Sequence, residues 1–137
     1  MYLTRYLNHY SALNGTEEYI TPCATIRYSN KIGGRGVFST VEYNKYDIIE
    51  IAPAIVQEIK WNKGTLSNYV FGLDDHNVMI GFGYSSMYNH SQKPNALYET
   101  IDNNKIKITA LKKILPNEEI FVSYGEQWFT ERNFTII

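Results

Sequence analysis

Short runs of β-branched residues recur along most of this chain of 137 residues. Ile55–Ile59 and Lys105–Thr109 partly alternate between apolar and polar positions, the period of a strand with one buried face. Further short strands, separated by polar or glycine-containing turns, are predicted at Asp47–Ile51, Tyr69–Leu73 and Val78–Phe82. Strands that recur about every ten residues, with little helix, predict a mainly β protein built from small sheets folded on one another.

One β-hairpin is predicted from its turn. The polar segment Asp102-Asn103-Asn104 separates Ala96–Ile101 from Lys105–Leu111. Asp and Asn tolerate the left-handed backbone that tight hairpin turns require. We therefore expect the two flanking segments to pair as antiparallel strands.

The N-terminal residues follow a helical period instead. Apolar and aromatic side chains recur at helical spacing at Tyr2, Leu3, Tyr6, Leu7 and Tyr10. Residues 14–15 and 21–22 break this pattern. The second break separates an N-terminal segment, residues 1–22, predicted to be helical, from residues 23–137, and the family resemblance described below implies that these are an extension and a main domain. The helix could cap the core of the domain, act as a dimerisation arm or form a lid over a binding groove.

Charge and cysteine content exclude several classes of function. The chain has 13 basic and 14 acidic residues, so no bulk electrostatic attraction favours direct binding to nucleic acid. Cys23 is the only cysteine, which rules out an intramolecular disulfide and a Cys-rich zinc site, and no metal site is expected. No apolar run is long enough to span a membrane, and the first residues do not begin a signal peptide. We expect no membrane association and a soluble intracellular protein in a reducing compartment.

Three motifs, in a fixed order, carry the candidate chemistry. They are Gly-Gly-Arg-Gly-Val-Phe at residues 33–38, Asn-His-Ser-Gln-Lys-Pro-Asn at residues 89–95 and Glu-Glu-Ile-Phe-Val-Ser-Tyr-Gly at residues 118–125. Each motif alone is weak, because a glycine-rich turn or a Ser-Tyr-Gly segment arises by chance in many loops. In this order and spacing the three resemble the signature of SET-domain protein-lysine methyltransferases, in the form of a minimal, stand-alone, viral-type member. The resemblance runs from near Ala24 to near Phe129 and covers most of the chain.

The resemblance implies a fold and a reaction. The family fold consists of several small sheets, of the β-clip type, with a C-terminal segment threaded beneath a preceding loop as a pseudoknot. The reaction transfers a methyl group from S-adenosylmethionine, the implied cofactor, to the ε-amine of a lysine in a protein substrate. A histone tail is the leading substrate, which would place the protein in a nucleus or a host nucleus. Two alternatives stay open: methylation of a non-histone protein, and a catalytically inactive SET-like module that binds peptides.

The same resemblance implies where the cofactor lies. Cofactor contacts fall on Gly34, Arg35, Gly36, Asn89, His90, Trp128 and Phe129. The glycine-rich loop would contact the methionine end, with Arg35 beside its carboxylate or in the pocket wall, and Asn89 and His90 would meet the amino group and adenine. Trp128 or Phe129 would stack on adenine. From the residues alone, the glycines could instead form an ordinary β-turn, and His90 could be a buried core histidine.

Tyr124 and Tyr69 are the implied catalytic residues. In the family, the tyrosine of the last motif places its hydroxyl beside the transferring methyl group and the lysine nitrogen. A phenol with a pKa of about 10 is a poor base for an ammonium group at neutral pH, so water is the expected proton acceptor. Tyr69 would add an aromatic wall to the lysine channel. Val122 stands where many relatives have Phe or Tyr, so Tyr98 could supply that ring from another strand. Outside this motif, Tyr124 would be an ordinary core tyrosine.

Many relatives complete the cofactor pocket with a Cys-ligated zinc module, which this sequence lacks. Gln92 replaces a cysteine of the family's second motif, and twelve residues follow Gly125. We therefore expect either the last residues or a second copy of the chain to close the pocket, and a homodimer is one way to do so.

Overall fold

The computed structural model describes residues 19–135, which contain nine strands, two 3₁₀ helices and one short α-helix. The strands are β1 (Ala24–Ser29), β2 (Gly34–Ser39), β3 (Ile48–Glu58), β4 (Val70–Gly72), β5 (Asn77–Gly81), β6 (Asn89–His90), β7 (Ala96–Ile101), β8 (Lys105–Ala110) and β9 (Phe121–Val122). The 3₁₀ helices are Ile59–Trp61 and Gly64–Tyr69, and α1 is Glu126–Glu131. The predicted helix of the N-terminal extension falls on residues 1–18 and lies outside the described residues. Between residues 19 and 135, no helix has the length and apolar character needed to cross a membrane.

The largest sheet has five strands in the order β4-β5-β3-β8-β7, and all neighbouring strands are antiparallel. β3 changes partner halfway, because residues 48–53 pair with β8 and residues 54–58 pair with β5. From the sequence we predicted two separate strands here, and that division is wrong: β3 is continuous through Pro53. The missing N–H of proline is tolerated because the strand changes partner at this point, where the Pro53 carbonyl accepts from the Phe82 N–H at 2.9 Å.

The predicted hairpin is confirmed. β7 and β8 pair as antiparallel strands, with Ala96 opposite Ala110 at one end. Asp102 and Asn103 have φ angles of 52° and 55°, the left-handed backbone expected for a tight hairpin turn. The hairpin places Tyr98 on the outer strand of the sheet.

The glycine-rich segment belongs to a strand rather than a loop. β1 and β2 form a two-stranded antiparallel sheet, in which Ser29 lies opposite Gly34. The turn itself is residues 30–33, and Gly33 has a φ of 76°, in the region that favours glycine. The expectation of a loop at Gly34 and Gly36 was therefore wrong, because cross-strand pairing with β1 holds both glycines extended.

The second and third motifs meet through two short parallel strands. β6 pairs with β9 in a register that sets Asn89 opposite Phe121. The Asn95 side chain reinforces this contact: its Nδ2 donates to the Glu119 carbonyl and its Oδ1 accepts from the Phe121 N–H, both at 2.8 Å. The C-terminal segment thus lies against the loop that follows β6, the contact that the implied threading requires.

The core lies between these sheets. Its fully buried aliphatic and thioether side chains include Val37, Ile49, Met79, Ile106, Ile108, Ile114 and Ile120. Burial of one such side chain stabilises the fold by roughly 1.5–3 kcal/mol. Because Ile120 immediately precedes β9, its burial anchors the strand that leads to Tyr124.

Candidate active site

A cleft of about 770 Å³ is lined by residues of the second 3₁₀ helix, β4, β5, β7 and α1. Its aromatic lining residues are Tyr69, Phe71, Tyr88, Tyr98, Tyr124 and Trp128. Phe71 and Tyr98 pack edge to face with ring centroids 4.9 Å apart, and Val122 lines the same cleft. Such apolar walls disfavour the charged ammonium form of a buried amine relative to its neutral form. The faces of the rings, in contrast, attract a cation.

Tyr124 follows β9, and one short hydrogen bond fixes its hydroxyl. The hydroxyl donates to the backbone oxygen of Tyr88 at 2.6 Å. Burial, with smaller contributions from Tyr69 and Glu119, raises the pKa of Tyr124 to about 12. The phenol is therefore neutral near pH 7. Because its only proton is committed to Tyr88, the lone pairs of its oxygen are left to accept hydrogen bonds.

His90 is buried beside Tyr124 and fixes the backbone of that tyrosine. Its Nδ1 accepts from the Tyr124 N–H at 3.0 Å. Since Nδ1 is the acceptor, the neutral ring carries its proton on Nε2, a buried atom without a hydrogen-bond partner among residues 19–135. Burial lowers the pKa of His90, which keeps the ring neutral near pH 7. The side chain is thus a core histidine, while its backbone lies in β6 next to Asn89.

Asn89 joins the glycine-rich strand to the third motif. Its Nδ2 donates to the backbone oxygen of Arg35 at 2.7 Å and to Oε1 of Glu119 at 2.8 Å. The other carboxylate oxygen of Glu119 accepts from Ser29 Oγ at 2.5 Å. A Cβ at Gly36 would lie 2.2 Å from Glu119 Oε1, so the glycine leaves the space that this carboxylate occupies.

α1 follows Gly125 and brings two aromatic rings to the site. Trp128 lines the cleft, whereas Phe129 is 4% exposed and packs against His90 with ring centroids 4.6 Å apart. The guanidinium of Arg132 lies 4.4 Å from the centroid of the Trp128 ring. Trp128 is therefore the more accessible of the two rings.

Two residues that we did not single out from the sequence, Glu119 and Arg132, connect the elements of the site. Arg132 donates to Asn68 Oδ1 at 3.1 Å and to the Ser67 carbonyl at 2.6 Å, which joins the end of α1 to the second 3₁₀ helix. The contact with Asn68 spans 64 residues, so no local pattern could predict it. Glu119 lies within the third motif, and its membership of that motif was the available signal.

The residues predicted from the sequence form two neighbouring groups. The group that lines the cleft is Tyr69, Tyr124 and Trp128. The group around the β2–β6 contact is Gly34, Arg35, Gly36 and Asn89. The rings of His90 and Phe129 adjoin the cleft group, since each packs against Tyr124, and His90 also follows Asn89 in β6. Within the described part of the chain, no group of three or more His, Cys, Asp or Glu side chains could hold a metal ion.

Sequence comparisons identify the family. A family model for the SET domain matches residues 34–125, which include all but the first residue of the three motifs. A Schizosaccharomyces pombe protein named histone-lysine N-methyltransferase, H3 lysine-37 specific, is 30% identical over 105 residues. This match covers 72% of the chain and 71% of the relative.

Solved structures share the fold. The crystal structure of a candidate histone methyltransferase from Plasmodium falciparum has a TM-score of 0.68 and 33% identity, and the match covers 80% of this chain and 99% of that one. An inhibitor-bound humanized mutant of the Chaetomium thermophilum Polycomb Repressive Complex 2 has a TM-score of 0.64 and 18% identity, over 78% of this chain and 15% of that one. At that identity the second likeness shows the fold alone. The expected mainly β fold of several small sheets is confirmed.

The family model spans well over half of the chain. The structure, in turn, brings the three motifs together around Asn89 and Tyr124. The chain therefore belongs to the SET-domain family of protein-lysine methyltransferases.

Proposed function

We propose that this protein transfers a methyl group from S-adenosylmethionine to the ε-amine of a lysine in a protein substrate, with a histone tail as the leading substrate. The observation that carries this proposal is the hydroxyl of Tyr124, which is neutral, is held by the Tyr88 carbonyl and belongs to an aromatic-walled cleft. Its oxygen can accept a hydrogen bond from a lysine amine. Tyr69 and Tyr98 supply walls around such an amine.

The cleft suits the chemical demands of lysine methylation. The reacting amine must be neutral, although free lysine has a pKa of about 10.4. Bound S-adenosylmethionine supplies a methyl group on a sulfonium centre. The aromatic walls desolvate the amine, which lowers its pKa, and they hold it in line for transfer. Because the pKa of Tyr124 is about 12, its hydroxyl orients the amine but does not act as a base, and the proton leaves to water.

The residues at the β2–β6 contact fit the amino-acid end of the cofactor. Both N–H groups of the Asn89 amide are engaged within the protein, which leaves Oδ1 to accept from an ammonium group. Arg35 is exposed and offers a guanidinium to a carboxylate. A Cβ at Gly34 would meet nothing within 4 Å, so the backbone there is open to a ligand. Of the two candidate adenine-stacking rings, Trp128 is the one that we favour, because Phe129 is buried.

The charge of the cleft supports a basic peptide as the substrate. Three carboxylates line the cleft, those of Asp74, Asp75 and Glu131, against one guanidinium, that of Arg132, which lies 3.9 Å from Glu131. The two aspartates therefore leave the lining with an excess of negative charge. Hydrogen bonds from His76 and Asn77 lower the pKa of Asp74, so it is ionised near pH 7. Carboxylates around a cleft attract segments rich in lysine and arginine, and histone tails are of this kind. The names of the relatives from S. pombe and P. falciparum both refer to histone methyltransferases.

The proposal is tested by incubating the protein with a labelled methyl donor and with histones, nucleosomes or ribosomal proteins as acceptors. The modified residue is then mapped. Labelling of a histone lysine that is lost in the Tyr124→Phe variant supports it. Labelling confined to non-histone proteins would keep the reaction and replace the substrate. Binding of the donor without transfer to any acceptor would assign the chain to the inactive, peptide-binding class.

A further inference from the structure

Glu119 belongs to the third motif and contacts Asn89 of the second motif and Ser29, which precedes the first. It has no part in the function proposed above. We propose that Glu119 is a positioning residue, which orients the Asn89 amide so that its Oδ1 faces the α-ammonium of the methyl donor. The inference rests on the proposed use of S-adenosylmethionine. It goes further by naming the residue that sets the recognition of the ammonium group.

The orientation of the Asn89 amide follows from the chemistry of its two neighbours. The Arg35 carbonyl, at 2.7 Å, and the Glu119 carboxylate, at 2.8 Å, both accept hydrogen bonds and donate none. A flipped amide would place Oδ1 against two acceptors and would lose both bonds. The oxygen of Asn89 is therefore directed away from both and is available to a donor such as a primary ammonium group.

Glu119 is itself held in one position. Its Oε2 accepts from Ser29 Oγ at 2.5 Å, and the buried Ser29 hydroxyl also accepts from the Ile32 N–H at 3.3 Å. A Cβ at Gly36 would come within 2.2 Å of Glu119 Oε1 and 3.1 Å of Asn89 Nδ2. The glycine of the first motif thus makes room for the glutamate of the third, which orients the asparagine of the second.

A purely structural role for Glu119 would use the same contacts, but the two roles differ in what they do to ligands. If Glu119 acts through Asn89, its removal weakens only ligands that carry the ammonium group. If it merely fastens β2 to the C-terminal segment, its removal weakens every ligand of the site equally. The selectivity between two matched ligands therefore separates the roles.

Calorimetric titration of the full chain with two ligands provides this test. One ligand is S-adenosylhomocysteine, and the other is its deaminated analogue, in which hydrogen replaces the α-amino group. We expect the wild type to prefer S-adenosylhomocysteine by about tenfold, the worth of a charge-assisted hydrogen bond. Glu119→Ala should lower the affinity for S-adenosylhomocysteine by about tenfold and the affinity for the analogue by less than about twofold. Glu119→Gln should stay within about threefold for both ligands, because its Oε1 can accept from Asn89 and its Nε2 can donate to Ser29 Oγ.

Equal weakening of both ligands by Glu119→Ala would assign Glu119 a structural role and overturn the proposal. A wild type that does not distinguish the ligands would also overturn it. A wild type that binds neither ligand would instead remove the proposed cofactor. In an Asn89→Ala background, Glu119→Ala should add less than about twofold, since the two residues act in series. If Glu119→Ala does not fold, Ser29→Ala takes its place. A loss of affinity confined to S-adenosylhomocysteine supports the proposal, and an unchanged preference for S-adenosylhomocysteine over the analogue overturns it.

Discussion

Replacement of Tyr124 by Phe removes one hydroxyl from the cleft and should separate binding from methyl transfer. The ring still packs against Trp128 and Phe129, with centroids 4.8 and 6.2 Å away, and the backbone N–H still donates to His90. We therefore expect the fold and the affinity for S-adenosylmethionine to change little. What is lost is the oxygen that we propose orients the lysine amine during transfer.

The size of the effect follows from two separate interactions. Loss of the 2.6 Å hydrogen bond to the Tyr88 carbonyl should lower the free energy of unfolding by about 1 kcal/mol. Loss of a preorganised hydrogen-bonding group at the reacting atoms should lower kcat about a hundredfold, or about 2.7 kcal/mol at about 1.36 kcal/mol per factor of ten. Because the pKa of Tyr124 is about 12, no part of this loss comes from a missing base, and the factor should be the same at every pH well below that value.

Steady-state methyl transfer to the best protein substrate, together with calorimetric affinity for the donor, measures both effects. Tyr43→Phe is the matched control, because the Tyr43 hydroxyl accepts from the Cys23 N–H at 2.9 Å and lies outside the cleft. This control should lose comparable stability while kcat stays unchanged. Full methyl transfer by Tyr124→Phe would refute the role of Tyr124, and an equal loss of rate in Tyr43→Phe would show that the rate follows stability instead.

Three further predictions concern the cofactor, metal and pH. Asn89→Ala should weaken binding of S-adenosylmethionine or its product by at least about 1 kcal/mol in a calorimetric titration, and unchanged affinity in a folded variant would remove β6 from the cofactor site. Dialysis against a strong chelator should leave activity and Tm unchanged, because residues 19–135 hold no candidate metal cluster; a loss of either would contradict a metal-free site. Burial raises the pKa of Glu50, so the stability linked to its protonation is fully present below the unfolded pKa and is lost as the pH rises through the folded pKa. The unfolding free energy of the wild type minus that of Glu50→Gln, from urea titrations, should therefore fall as the pH rises above the usual pKa of a glutamate carboxyl, and a flat or rising difference would contradict this.

Short runs of β-branched residues, partly alternating and bounded by turns, located most of the central sheet, because burial of one face favours a period of two in the side chains. The β7–β8 hairpin is the clearest case, since its turn residues also have the required left-handed backbone. The pattern missed β1, where four of the six side chains are exposed and no buried face imposes a period. It also divided β3 at Pro53, because a change of partner strand is a property of the sheet and not of the local sequence.

The site was located through its motifs, since physical patterning gives little signal there. β6 and β9 are two residues long, too short for any periodicity, and they join segments that are far apart in the chain. Arg132 could not be found in this way either, because its partners in the second 3₁₀ helix are distant in sequence. Glu119 is different: the motif contained it, but only the distances reveal that its carboxylate faces Asn89.

Tyr88, which lines the cleft, belongs to a buried polar network centred on Glu50. Glu50 is 2% exposed, and its carboxylate accepts from the Tyr88 hydroxyl at 3.0 Å and from the Tyr84 N–H at 2.9 Å. Burial of a carboxylate is unfavourable, and a well-packed apolar side chain in its place is often neutral or stabilising. Here Glu50 holds the side chain of Tyr88, whose carbonyl receives the hydroxyl of Tyr124. The buried carboxylate therefore anchors the ring of the residue whose carbonyl accepts from the Tyr124 hydroxyl. Its cost to folding, measured as the difference between the wild type and Glu50→Gln, accompanies an anchor beside the group that we propose acts in methyl transfer.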